Sequence, residues 1–124
     1  MPTPTDARVG HLFSYGTLQL ESVQLSLFGR TVSGRRDILP NYERALLTIE
    51  DPAEVVALGK THHLIAKFTG QVDHEIAEIA LLVTMEELQK ADGYEPPEYR
   101  RVQAVLRSGT HAWVYVDVAH AGPG

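Results

Sequence analysis

The sequence predicts an α+β protein: a small mixed β-barrel of about six strands with two short flanking helices. Ile76 to Val83 is an almost unbroken apolar run, interrupted only by Glu78, and such a run suits a strand covered on both faces. Only two segments carry helical signals. Closing the sheet on itself would cover strands of this kind and leave no exposed edge.

Val9 to Tyr15 reads as the first strand, and Gly16 behind it allows a tight or positive-φ turn. A short helix follows over about Leu20 to Leu27, stopped by Gly29. Arg30 to Leu39 and Tyr42 to Ile49 are two strands around the turn pair Pro40–Asn41. Glu50 to Lys60 reads as a loop, and Thr61 to Phe68 is of mixed character. Thr84-Met85-Glu86-Glu87 matches the S/T-x-x-E capping box, in which hydroxyl and carboxylate each accept from the other residue's N–H. It opens a helix from about Met85 to Ala91, with Met85, Leu88 and Ala91 inward and Gly93 ending it. Tyr99 to Leu106 is a strand with Val102, Ala104 and Leu106 on one face and Tyr99, Arg101 and Gln103 on the other. Ser108–Gly109 is a hairpin signal. Ala112 to Val118 returns as the last strand, Trp113 and Tyr115 on one face, Val114, Val116 and Val118 on the other. Residues 9–118 are expected to form a single domain between a flexible N-terminus, 1–8, and a flexible tail, 119–124.

A chain of 124 residues is one domain and can bury roughly two-thirds of the surface its unfolded form exposes. A net charge of −5 argues against nucleic acid as a partner, since a phosphate backbone needs clustered Lys and Arg. There is no cysteine, hence neither a disulfide framework nor a thiolate. No apolar run approaches the ~18 residues of a membrane span, and Met1 to Arg8 is polar, without a secretory apolar segment. The expectation is a soluble cytoplasmic protein, monomer or weak homodimer. The six histidines show no H-x-x-x-H or comparable pair, so no metal site is expected. There is no G-x-S-x-G, P-loop or G-x-G-x-x-G, which argues against a nucleophile elbow and against nucleotide chemistry.

Two segments could carry chemistry. Successive N–H groups at Tyr15-Gly16-Thr17-Leu18 can converge on a carboxylate or phosphate, and a helix starting behind them adds its dipole. Alone, these four residues are more often a plain strand-end turn. Asp92, Glu95 and Glu98 lie within seven residues of one another. Crowded like charges and partial burial both favour a carboxylate's neutral form, and a Glu tuned in this way can act as base and then as acid near neutral pH. Alone, such a charge run is more often a solvated loop, although Pro96 and Pro97 stiffen this one. Glu98 stays open as the alternative base. Arg44, Arg100 and Arg101 are candidates for clamping a substrate carboxylate, with a structural ion pair to Asp92 or Glu98 favoured for Arg100 and Arg101.

Taken in order, several segments resemble the gamma-glutamylcyclotransferase-like superfamily, which includes gamma-glutamylcyclotransferases and gamma-glutamylamine cyclotransferases. They are Phe13 to Leu18, Val83-Thr84 through Glu87-Leu88, Ala91 to Glu95, Tyr99-Arg100-Arg101, and Ala112 to Val116. The family's D-x-x-E, with a tyrosine and an arginine shortly after, fits Asp92, Glu95, Tyr99 and Arg101. The resemblance implies a cavity between the Tyr15–Leu18 turn and the helix-to-strand loop. Glu95 would be its catalytic acid/base, the backbone of Gly16, Thr17 and Leu18 would hold the substrate, and Tyr15, Tyr99 and Tyr115 would line it. The implied reaction is the cyclisation of a small-molecule gamma-glutamyl amide to 5-oxoproline with release of an amine or amino acid, needing no cofactor and no metal. Two departures stand out: Pro96 occupies the position where many relatives have glycine, and residues 50–73 match only loosely. A non-catalytic module holding a small carboxylate in the same cavity is the alternative reading.

Overall fold

The computed structural model describes residues 9–59 and 62–120, so the expected flexible N-terminus and most of the expected tail lie outside the described residues. The elements run β1 Val9–Ser14, α1 Glu21–Phe28, β2 Gly34–Pro40, β3 Tyr42–Thr48, α2 Pro52–Leu58, β4 His62–Phe68, β5 Glu75–Thr84, α3 Met85–Tyr94, β6 Tyr99–Val105 and β7 His111–Asp117. Short 3-10 turns lie at Thr17–Gln19 and Val118–His120. Seven strands and three α-helices among the described residues replace the expected six and two.

No closed barrel forms among the described residues. Five strands make one sheet in the order β2-β5-β1-β7-β6, and β3 and β4 pair separately as a two-stranded ribbon. The reason lies at Asn41. The strands on either side of Pro40–Asn41 do not pair with each other: β2 pairs with β5 and β3 with β4. Asn41 sits at φ 72, a left-handed conformation that Asn tolerates better than most residues. Its N–H donates to the His74 carbonyl at 2.8 Å, and its own carbonyl accepts from Thr69 and Gly70 at 2.8 and 3.2 Å. This corner steers β3 out of the sheet. The edges of the five-stranded sheet do touch at one end, where Arg107 N–H donates to the Ile38 carbonyl at 2.8 Å. Beside that contact, Ser108 Oγ donates to Asp37 at 2.6 Å.

The sheet is covered on both faces, as the apolar strands require. Phe13, Leu39, Ile76, Ala80, Val102, Val114 and Val116 form one core with Tyr42 and Ala66 of the ribbon. Leu12, Leu81, Val83 and Tyr115 point the other way and pack with Phe28 of α1 and with Leu88 and Ala91 of α3. Alternate residues of one strand thus enter different cores.

The expected loop at 50–60 contains a helix, α2. Asp51 caps it by accepting from Ala53 N–H at 3.0 Å, Pro52 takes the first position, and Gly59 ends it at φ 70. This is a regular start-and-stop arrangement, and Lys60 lies outside the described residues. The capping box of α3 forms: Glu87 N–H donates to Thr84 Oγ1 at 3.1 Å, and Thr84 N–H donates to Glu87 Oε1 at 2.9 Å. Arg30 adds two bonds to the same carboxylate, at 2.7 and 2.8 Å.

These contacts are expected to make the fold sensitive to acid. Burial pushes the Glu87 carboxyl up, but bonds from Arg30 and Thr84 outweigh it and hold the group below its ordinary 4.5. At Asp37 burial is likewise overcome, here by bonds from Ser108 and Ile38, and the carboxyl lies below its ordinary 3.8. A depressed carboxyl contributes stability that is complete above its unfolded pKa and is lost as pH falls through the folded value. The urea midpoint is therefore expected to drop once pH goes below these ordinary values, and Glu87→Gln with Asp37→Asn is expected to flatten that drop. An unchanged slope in the double variant would assign the acid sensitivity to other carboxylates.

Candidate functional site

β1 ends at the middle of the sheet, beside the parallel strand β7. Tyr15 follows it into the core. Its hydroxyl donates to the Tyr115 carbonyl at 2.5 Å and accepts from Ala66 N–H at 3.1 Å, which pins the start of the turn to β7 and to β4. Gly16 then has φ −142 and ψ −144, not the positive φ the sequence allowed. A Cβ built on it meets nothing within 4 Å, so the chain itself does not demand glycine here. The 3-10 turn closes with Gln19 N–H to the Gly16 carbonyl, 3.1 Å, and Leu20 N–H to the Thr17 carbonyl, 2.9 Å. The amides of Gly16, Thr17 and Leu18 precede those bonds and are not consumed by them. That of Gly16 makes a long contact of 3.4 Å to Ser14 Oγ.

The facing wall is the end of α3. Gly93 does not stop this helix, which runs through Tyr94 and is capped by Glu95 at φ −78, ψ 140. The stop comes from Pro96, because a residue preceding proline is driven out of the helical region into an extended conformation. Glu95 N–H still donates to the Ala91 carbonyl at 3.0 Å, and Tyr99 N–H donates to the Pro96 carbonyl at 3.1 Å. The carboxylate at 95 is thus carried on a helix end and followed by two stiff residues.

The two walls meet. Tyr15, Gly16, Thr17, Leu18, Glu95, Tyr99 and Tyr115 all line one cavity of about 850 Å³. Thr17 Oγ1 and Tyr94 OH are hydrogen-bonded at 2.8 Å, joining the turn directly to the helix end. Among the described residues lining this cavity, Glu95 is the one carboxylate, and there is no Lys, Arg or His. Glu95 also borders a second hollow of about 380 Å³, shared with Asp92, Arg101 and Trp113. Glu98 lines neither hollow.

The three tyrosines form walls of the cavity, and each hydroxyl is engaged by a partner within the protein. Tyr99 donates its hydroxyl to the Leu64 carbonyl at 2.6 Å, and Tyr115 donates to Asp92 Oδ1 at 2.7 Å. Burial, the leading cause at each, pushes all three phenols well above the ordinary tyrosine range, and the nearby Glu95 charge pushes each further. None of the three candidate arginines lines the larger cavity. Arg101 is paired with Asp92 at 2.7 and 3.0 Å, Arg44 with Glu78 of β5, and Arg100 is exposed. Among the described residues, the polar groups that this cavity offers an anion are thus main-chain amides and hydroxyls, not side-chain cations.

Leu64 of β4 and Tyr94 are lining residues that sequence reasoning did not single out. Tyr94 had a signal, its place beside Glu95. Leu64 had none, because only the corner at Asn41 brings the ribbon over the site. Among the described residues, no three His, Asp or Glu side chains gather as metal ligands would, and no helix is long and apolar enough to cross a membrane.

The family model described as gamma-glutamyl cyclotransferase, AIG2-like, matches residues 12–121. Two similar solved structures come from Arabidopsis thaliana. The solution structure of At3g28950.1 is 18% identical, with a TM-score of 0.66 over 98% of this chain and 70% of that one. That of At5g39720.1 is 20% identical, with a TM-score of 0.65 over 98% and 77%. The uncharacterized protein loc79017 from Homo sapiens is 16% identical, with a TM-score of 0.63 over 91% and 69%. These likenesses are of fold. Among curated proteins none matches this chain.

Proposed function

Since the chain belongs to the gamma-glutamyl cyclotransferase, AIG2-like family, we propose that it cyclises a gamma-glutamyl amide to 5-oxoproline and a free amine, with Glu95 as general acid/base. The observation that carries this reading is the shared cavity: the amide-bearing turn at Gly16 to Leu18 and the single carboxylate Glu95 border the same space.

In the proposed reaction the turn amides grip the substrate's α-carboxylate. Glu95 accepts a proton from the α-ammonium group. The freed amine attacks the γ-carbonyl carbon and closes a five-membered ring. Glu95 returns its proton to the leaving nitrogen, the old C–N bond breaks, and the amine departs. The second proton lost by the ring nitrogen balances protonation of the released amine in water. Holding amine and carbonyl at about 3–3.5 Å can contribute up to ~7–11 kcal/mol in favourable intramolecular systems. The cavity's composition agrees with these roles, since a carboxylate attracts the ammonium end of the substrate and would repel a simple anion. The chain needs neither cofactor nor metal for these steps.

The test is incubation with a panel of gamma-glutamyl amides and gamma-glutamyl amino acids, followed by detection of 5-oxoproline. Its appearance with one member supports the reading. Binding of a panel member without 5-oxoproline would favour the non-catalytic carboxylate-binding module. A companion experiment addresses the turn. Gly16→Ala has no steric obstacle within the chain, so stability is expected to stay within about 0.5 kcal/mol of wild type. A methyl group against the bound carboxylate would weaken a charge-assisted hydrogen bond, a loss of ~1.5–3 kcal/mol that appears as a KM about ten- to hundredfold higher. An unchanged KM would remove the turn from substrate binding.

A further inference from the structure

We infer that Asp92 is a positioning residue for Glu95, acting through a tie among Asp92, Arg101 and Tyr115. The inference rests on the reading of Glu95 as the acid/base group.

Asp92 lies in the last turn of α3, three residues before Glu95. That turn is weak by its own composition. Gly93 is a poor helix former. The turn holds no basic residue, and Asp92 places negative charge at the negative end of the helix dipole. The cation comes instead from β6. Arg101 Nε and Nη2 donate to Asp92 Oδ1 and Oδ2 at 2.7 and 3.0 Å, a two-pronged arrangement that sets orientation as well as distance. Tyr115 of β7 donates to the same Oδ1 at 2.7 Å. Arg101 in turn lies over Trp113, 4.4 Å from the ring centre.

The end of α3 is thereby fastened to two neighbouring strands, and Pro96 restrains the chain just beyond Glu95. Asp92 oxygens already accept three hydrogen bonds, which suits an anchor better than a proton carrier. The side chains of Asp92 and Arg101 are 41% and 21% exposed, so the pair adds little to global stability. Its effect is expected in geometry. A displacement of ~1 Å at a reacting group can cost about a hundredfold in rate.

The variants are Asp92→Ala, the conservative Asp92→Asn, and Arg101→Lys, which keeps the charge and loses the fork. In the whole protein, amide hydrogen exchange at Glu95 N–H is expected to speed up by about tenfold or more in Asp92→Ala, while amides of β1 and β5 keep their protection. With any gamma-glutamyl amide that the wild type turns over, kcat is expected to fall about a hundredfold with KM within about threefold, at a nearly unchanged Tm. Asp92→Asn and Arg101→Lys are expected to be intermediate in both measurements. Wild-type exchange at residue 95 in Asp92→Ala overturns the inference, as does an unchanged kcat. A fall in kcat matched by an equal loss of folded protein overturns it too, since that is a purely structural role. If the wild type itself releases no 5-oxoproline, the reading of Glu95 fails separately, and the exchange measurement alone decides whether Asp92 holds residue 95.

Discussion

Glu95→Gln is expected to unfold at the wild-type urea midpoint and to release 5-oxoproline at least ~10²–10⁴-fold more slowly. The amide has nearly the same shape as the carboxylate, and Glu95 is only partly buried, at the end of a helix rather than in the core. The amide of the variant cannot accept a proton from the substrate ammonium. The companion change, Glu98→Gln, is expected to leave turnover within a few-fold of wild type, because Glu98 borders neither hollow. Wild-type turnover in Glu95→Gln would show that Glu95 is not the base. Loss of turnover in Glu98→Gln alone would transfer the role to that residue.

Leu88→Ala is expected to cost ~2–5 kcal/mol of folding stability. Leu88 is fully buried where α3 meets Leu12 and Val83 of the sheet. Removing its side chain leaves a void that the surrounding strands cannot close. That is a large share of the ~5–15 kcal/mol by which a domain of this kind is stable. Urea unfolding with an unchanged m-value measures it. A loss below about 1 kcal/mol would mean that α3 does not pack as tightly as its burial indicates. The residue matters to function because the same helix carries Glu95 at its far end, so activity and stability are expected to decline together in this variant, unlike in Glu95→Gln.

Much of the fold was legible because it is written in local patterns. Alternating or doubly apolar runs placed β1, β5, β6 and β7. The Thr84–Glu87 capping box located the start of α3, and both of its bonds form. Two misreadings had signals that were present in the sequence. Asp51-Pro52 with Gly59 marks the ends of α2, and Pro96 rather than Gly93 determines where α3 stops. At α3 a proline's restriction of its neighbour carries more weight than a glycine's freedom, whereas at α2 proline and glycine mark opposite ends of the same helix.

The sequence by itself determined the residue types available for chemistry: a strand-end turn with amides to spare, a carboxylate-rich loop stiffened by two prolines, and no thiol. It also settled the family, through motifs in a fixed order. Only the tertiary structure decided that the sheet stays open, that the ribbon β3–β4 swings away at Asn41 to bring Leu64 over the cavity, and that Asp92 is held by two strands at once. The physical reason is range. Caps, turns and alternation are interactions between residues a few positions apart, whereas strand partners and side-chain ties join residues far apart in the chain and depend on how the whole core packs.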